Sequence, residues 1–166
     1  MITYIKGDLL DSTCNYICHQ VNCQGVMGSG IASQIRNKWP EVYTEYLEVC
    51  KKVLPSKLLS DVQCIQIAEW YEDSELIPSG QWVVNMFAQE NYGYDKSRYT
   101  SYDAFWNCLN VLKSRLRKNS TVAFPKNIGC GLGGANWDII EKMIDTVLKD
   151  YPVYIYEYEM RGNKNA

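Results

Sequence analysis

The segment Asn22-Cys23-Gln24-Gly25-Val26-Met27-Gly28-Ser29-Gly30-Ile31-Ala32 joins an apolar run that reads as a strand, Tyr16 to Val21, to a helix expected over Ile31 to Trp39. Its three closely spaced glycines let the backbone turn sharply and let a ligand come close to main-chain N–H groups. Where such a loop opens a helix, those donors converge with the positive end of the helix dipole and form an anion site, most often for phosphate. The same composition would also serve a turn that only packs strand against helix. Gly25 and Gly30 fit the G-x-x-x-x-G part of a nucleotide-triphosphatase loop, but Ile31-Ala32 stand where that motif needs Lys and then Ser or Thr. ATP or GTP hydrolysis is therefore not the expected chemistry.

A second glycine loop follows a short buried strand at Thr121 to Phe124. It runs Pro125-Lys126-Asn127-Ile128-Gly129-Cys130-Gly131-Leu132-Gly133-Gly134 and leads to a helix that Asn136 can cap. Ile140, Met143, Ile144, Val147 and Leu148 give that helix its core face. Gly129, Gly131 and Gly134 formally satisfy G-x-G-x-x-G. A dinucleotide fold, however, carries that fingerprint in its first unit and an acidic residue roughly 20 residues later, and here too little chain remains. Two such turns opening at one sheet edge could instead grip a diphosphate from both sides.

The rest of the chain alternates strands and helices. Ile2 to Lys6 reads as a strand ended by Gly7-Asp8, where the aspartate either meets a ligand amine or caps a turn. Pro40 suits the start of a second helix, with Val42, Tyr43, Tyr46, Leu47 and Cys50 as its apolar stripe. Asp61 to Trp70 and Gln81 to Phe87 read as a hairpin around the polar stretch Glu72 to Gly80, with a turn at Pro78-Ser79-Gly80. The aperiodic segment Ala88 to Lys96 contains Gln89, Glu90, Tyr92, Tyr94 and Asp95. It either lies over a ribose or base or is an ordinary connector. Ser101 to Lys118 is a helix carrying Phe105, Leu109, Leu112 and Leu116 on one face, with Lys113, Arg115, Arg117 and Lys118 as a solvated basic end. Val153 to Tyr158 is the last strand, and Arg161 to Ala166 a frayed tail. This pattern implies an α/β layer structure with helices on both sheet faces.

At 166 residues the chain suits one domain, expected over 1–160. Its 17 basic and 19 acidic residues leave no bulk attraction for nucleic acid or anionic membrane. Seven cysteines without a C-x-x-C pair, and a single histidine, support neither a disulfide framework nor a zinc site. No signal peptide or membrane span is read, so the cytoplasm is the expected compartment. His19, the only imidazole, lies three residues before Asn22 and is either structural or catalytic.

On these residues the sequence resembles the macrodomain family, whose fold binds ADP-ribose. The resemblance runs from Gly7-Asp8 through the Asn22 to Ala32 loop and Tyr43 to Cys50 to Gly129-Cys130-Gly131-Leu132. It is nearest to the branch of ADP-ribose 1″-phosphate phosphatases, terminal ADP-ribose protein glycohydrolases and phage-type proteins. The resemblance implies a central mixed sheet of about six strands between helices. It implies that Asp8, with Leu9 beside it, meets the adenine, and that Asn22 and Gly25, Val26, Met27, Gly28, Ser29, Gly30 and Ile31 surround the distal ribose and part of the diphosphate. Ile128, Gly129, Cys130, Gly131, Leu132 and Gly133 would complete the diphosphate grip, with Gln89 and Tyr92 alongside. The glycohydrolase branch uses a lysine after the fifth strand and an aspartate after Gly-Cys-Gly-Leu. Here Gln89-Glu90 and Gly133 occupy those places, so a covalent lysine route lacks its residues. What fits is hydrolysis without metal or cofactor, removing phosphate from ADP-ribose 1″-phosphate or opening an ADP-ribosyl ester. Asn22 would orient ribose or water, and His19 would act as general acid or base. The alternative is a module that binds ADP-ribose or a related nucleotide without turnover.

Overall fold

The computed structural model describes residues 1–70 and 80–158. Pro78 and Ser79 of the expected turn, and the expected tail, lie outside the described residues. In chain order the elements are β1 (Ile2–Lys6), β2 (Tyr16–Val21), α1 (Gly30–Lys38), α2 (Pro40–Lys52), α3 (Pro55–Leu58), β3 (Val62–Ala68), β4 (Gln81–Phe87), α4 (Tyr102–Arg115), β5 (Val122–Pro125), α5 (Trp137–Val147) and β6 (Val153–Glu157). A 3-10 turn at Leu9–Asp11 and the short α3 were not read from the sequence. Both are too brief to carry a periodicity.

One six-stranded sheet has the order β1-β6-β5-β2-β4-β3. Every pairing is parallel except β3 with β4, where the expected hairpin partners run from Val62 opposite Met86 to Ala68 opposite Gln81. The central strand β2 is covered on both faces, which is why it reads as an unbroken apolar run. Helices α1 and α2 bury Ile35, Val42 and Tyr46 against Val21, Val83 and Phe87 on one face. Helices α4 and α5 bury Phe105, Leu109, Leu112, Ile140 and Ile144 against Cys18, Val84, Met86 and Phe124 on the other. The caps follow the sequence: Ser101 Oγ accepts from Ala104 N–H (3.1 Å), and Asn136 Oδ1 accepts from Asp138 N–H (2.9 Å). The basic end of α4 is more than a solvated face. Arg115 donates to Val62 O (2.8 Å) and pairs with Asp61, tying α4 to the start of β3, while Arg117 lies over the Trp82 ring.

All five parallel strands end at the same sheet edge, so the segments after β1, β2, β4 and β5 open on one side. In open α/β sheets this is the edge where ligands bind. Among the described residues no helix is long and apolar enough to cross a membrane.

Candidate functional site

A cleft of about 470 Å³ lies beyond the carboxyl ends of β2, β4 and β5. Its walls are the loop after β2, the loop after β4 and the loop after β5. The two glycine loops separated by about a hundred residues in the sequence thus face each other across one space.

The first loop is built around Asn22, which is buried. Its Oδ1 accepts from Gln24 N–H (2.9 Å), Val26 N–H (3.4 Å) and the Tyr46 hydroxyl (2.9 Å), while Nδ2 donates to Val26 O (2.8 Å). Tyr46, fully buried on α2, also bonds Asn22 O at 2.7 Å. Asn22 therefore fixes the loop's shape, and one hydrogen of its amide remains for another acceptor. Past this knot the N–H groups of Gly28 and Ser29, and of Gly30, Ile31 and Ala32 in the first turn of α1, meet no backbone or side-chain acceptor among the described residues.

The second loop closes on itself through Ile128 N–H to Pro125 O, Cys130 N–H to Asn127 O, Gly134 N–H to Gly131 O and Ala135 N–H to Gly129 O. The N–H groups of Gly129, Gly131, Leu132 and Gly133 are left without a protein acceptor among the described residues. Gly129 has φ +73°, and a Cβ there would lie 2.7 Å from Gln20 Oε1, so this turn needs a glycine. The cleft accordingly presents two opposed sets of unused main-chain donors, one of them on a helix N-terminus.

Most of the residues named from the sequence come together here. Asn22, Val26, Gly28, Ser29, Gly30 and Ile31 line the cleft from one loop, Gln89 and Tyr92 from another, and Ile128, Gly129, Gly131, Leu132 and Gly133 from the third. Six named residues do not line it. Leu9 and Met27 are buried in the core, and Gly25 turns against Leu47 of α2. Cys130 packs beneath its loop, and burial pushes its thiol up to about 11. Asp8 caps the 3-10 turn by accepting from Leu10 N–H (2.9 Å), at the β1 end of the same edge.

His19 stands apart from the cleft lining. Its imidazole is fully buried, with Nε2 hydrogen-bonded to Asn85 Oδ1 and Nδ1 without a partner among the described residues. Burial pulls it down to about 4, so it is neutral at pH 7. Because it does not line the cleft, the acid–base role expected of it is withdrawn. Of the acids in the loop after β4, Asp95 accepts from the Tyr99 hydroxyl and Ser97 N–H, which hold its carboxyl low. Glu90 contributes its backbone carbonyl, which accepts from Cys23 N–H and Gln24 Nε2. Neither lines the cleft.

Gln20, Lys126 and Asn127 also line the cleft, and no motif in the sequence marks them as site residues. Gln20 was visible only as a polar residue in an apolar strand. Lys126 is the one cation lining the cleft among the described residues; its Nζ pairs with Glu157 at 2.8 Å across the ends of β5 and β6 and lowers that carboxyl. Apart from Lys126, the titratable side chains of the lining among the described residues are the exposed Tyr92 and Tyr94, with neither a carboxylate nor an imidazole among them.

The Macro domain family model matches residues 18–144. Among characterised proteins, the ADP-ribose 1″-phosphate phosphatase of Saccharomyces cerevisiae is 40% identical over 136 residues, covering 80% of this chain and 72% of that protein. The DNA ADP-ribosyl glycohydrolase of Mycobacterium tuberculosis is 28% identical over 155 residues, covering 92% of this chain. The chain spans 40% of the length of that relative. Among solved structures, the macrodomain of Mycobacterium tuberculosis DarG superposes with a TM-score of 0.73 at 27% identity, over 94% of this chain and 97% of that one.

Proposed function

The chain belongs to the macro domain family, and from that premise we propose that it binds ADP-ribose derivatives in this cleft and hydrolyses the bond at the distal ribose, releasing phosphate from ADP-ribose 1″-phosphate or opening an ADP-ribosyl ester. The observation that carries this reading is the pair of opposed donor sets, Gly28 to Ala32 and Gly129 to Gly133, which suit a diphosphate held from both sides.

The sheet edge supports one order for the ligand in this reading. Asp8, at the β1 end, takes the adenine amine; the diphosphate sits between the loops after β2 and β5; the distal ribose reaches Asn22 and the Gln89 to Tyr94 segment. Water attacks the terminal phosphorus, the bond to the ribose oxygen breaks, and the leaving oxygen takes a proton. With no carboxylate or imidazole among the described lining residues, that proton comes by way of solvent and the substrate's own phosphate oxygens. The loop amides stabilise charge developing on the phosphoryl oxygens, an effect of about 3–4 kcal/mol per well-placed donor in oxyanion holes. The seven cysteines are free thiols, which suits work in the reducing cytoplasm.

The same poverty in acids and bases favours a second reading, a module that holds ADP-ribose without turning it over. Calorimetry with ADP-ribose beside phosphate release from ADP-ribose 1″-phosphate, on one sample, separates the two. Binding with release supports the hydrolase, binding without release supports the module, and no binding at millimolar ligand rejects both.

A further inference from the structure

The loop after β4 and the loop after β5 are joined beneath the cleft by a small polar network. Gln20 on β2 donates both hydrogens of Nε2, one to Gln89 Oε1 at 2.8 Å and one to Thr100 Oγ1 at 2.7 Å. The Thr100 hydroxyl, on a residue 1% exposed, uses its own hydrogen on Gly129 O at 2.8 Å. Gln89 Nε2 in turn donates to Asn91 O at 2.8 Å, one residue before Tyr92. The backbones are also laced together. Gly133 O accepts from both Tyr99 N–H and Thr100 N–H, and Gln89 and Thr100 form an isolated antiparallel bridge that closes the tyrosine loop at its base.

One atom is left unserved. Gln20 Oε1 is buried with no partner among the described residues, facing the place where Gly129 has no Cβ. Reversing the amide would set Oε1 against Gln89 Oε1 and leave Thr100 Oγ1 without its donor. The orientation is therefore fixed by the two loops it joins, despite the orphaned carbonyl.

We propose that Thr100, held by Gln20, is a positioning residue that makes the tyrosine loop and the second glycine loop close on the ligand as one body. The inference rests on the reading of the cleft as an ADP-ribose site. Phosphate drawn to the Gly129 to Gly133 amides orients the Gly129 and Gly133 carbonyls on the far side of the same turn. Those carbonyls hold Thr100, and through it Gln20, Gln89 and the segment bearing Tyr92 and Tyr94. Occupation of the diphosphate subsite then orders the distal subsite, and the coupling is reciprocal.

The test uses ADP, which carries the diphosphate and lacks the distal ribose. Amide hydrogen exchange on the whole chain is expected to slow at 129–133 and also at 90–98 when ADP binds the wild type. In Thr100→Val the slowing at 129–133 remains and that at 90–98 is lost, while Thr100→Ser restores both. In the same variant the affinity advantage of ADP-ribose over ADP falls about fivefold, a coupling size ordinary for linked sites. Gln20→Met, which removes the fork and keeps the volume, repeats the loss from the other side and serves where Thr100→Val folds poorly. Slowing at both segments in both variants, as in wild type, overturns the relay and leaves the ligand reading standing. No slowing at 129–133 in wild type overturns the ligand reading, and the relay with it.

Discussion

Gly28→Glu is expected to weaken ligand binding by about two orders of magnitude while leaving the fold intact. Gly28 is exposed on the cleft rim, and a Cβ built there meets only Val26 Cγ1, at 3.6 Å, an ordinary contact. The cost to stability should therefore stay within about 0.5 kcal/mol, as for surface changes generally. The new carboxylate projects into the space where two loops offer main-chain donors, and it can take those donors itself. Against a bound phosphate at about 5 Å and an effective dielectric near 20, one unit of like charge costs about 3 kcal/mol, or roughly 150-fold in Kd. Gly28→Gln carries the same bulk without the charge and separates the two effects. Titration calorimetry with ADP-ribose at two salt concentrations reads the result, with a melting curve to verify folding. A Glu variant that melts like wild type and binds within threefold of it would refute the placement of the diphosphate on this loop.

Asn22→Ala removes the hub of the first loop and should cost about 1–3 kcal/mol of stability. Phosphate release from ADP-ribose 1″-phosphate should drop at least about tenfold beyond any loss of folded protein; wild-type turnover would count against the site. Gly129→Ala forces a Cβ onto Gln20 Oε1 at a φ of +73° and should destabilise by about 1–3 kcal/mol in chemical denaturation, against no change if the turn relaxes freely. His19 gives a pH signature. Its native pKa of about 4 lies below the usual 6.5, so the unfolded chain binds the proton first as pH falls. The stability due to neutral His19 is complete above pH 6.5 and declines by about 2 kcal/mol between pH 6.5 and 5. In His19→Gln this slope should flatten in urea titrations; an unchanged slope assigns it elsewhere.

Much of the architecture was legible because it is written in local pattern. Two runs of glycine between strand and helix marked both cleft loops, and alternating strands and helices implied a layered α/β structure with helices on both sheet faces. Asn22 and Tyr46 were each picked out, one as a site residue and the other as core, but the hydroxyl bond that makes them one unit spans 24 residues. Gln20 and Thr100 escaped notice for the same reason: they meet across 80 residues, and neither belongs to a motif. His19 was chosen by chemical type. In a strand buried on both faces, type says nothing about which residue reaches the cleft, and it was the neighbouring Gln20 that did.

How the loops are joined bears on why position 133 carries no side chain. An aspartate is expected after Gly-Cys-Gly-Leu in the glycohydrolase pattern, and Gly133 holds that position here. A Cβ at Gly133 would lie 2.4 Å from Thr100 Oγ1 and 2.5 Å from Gly129 O, the two atoms that bond each other to hold the loops together. Placing any side chain at 133 means displacing Thr100 and releasing Gln20 and Gln89 with it. The chain cannot therefore gain the acid by a single substitution and keep the tie between its loops. On the proposed reading such a site would rely on oriented amides and on the charge of the substrate itself, and a dianionic terminal phosphate draws more from such donors than a neutral ester does. Of the two substrates proposed, the phosphate monoester is the better match, and the ratio of phosphate release to ester opening on one preparation measures that preference.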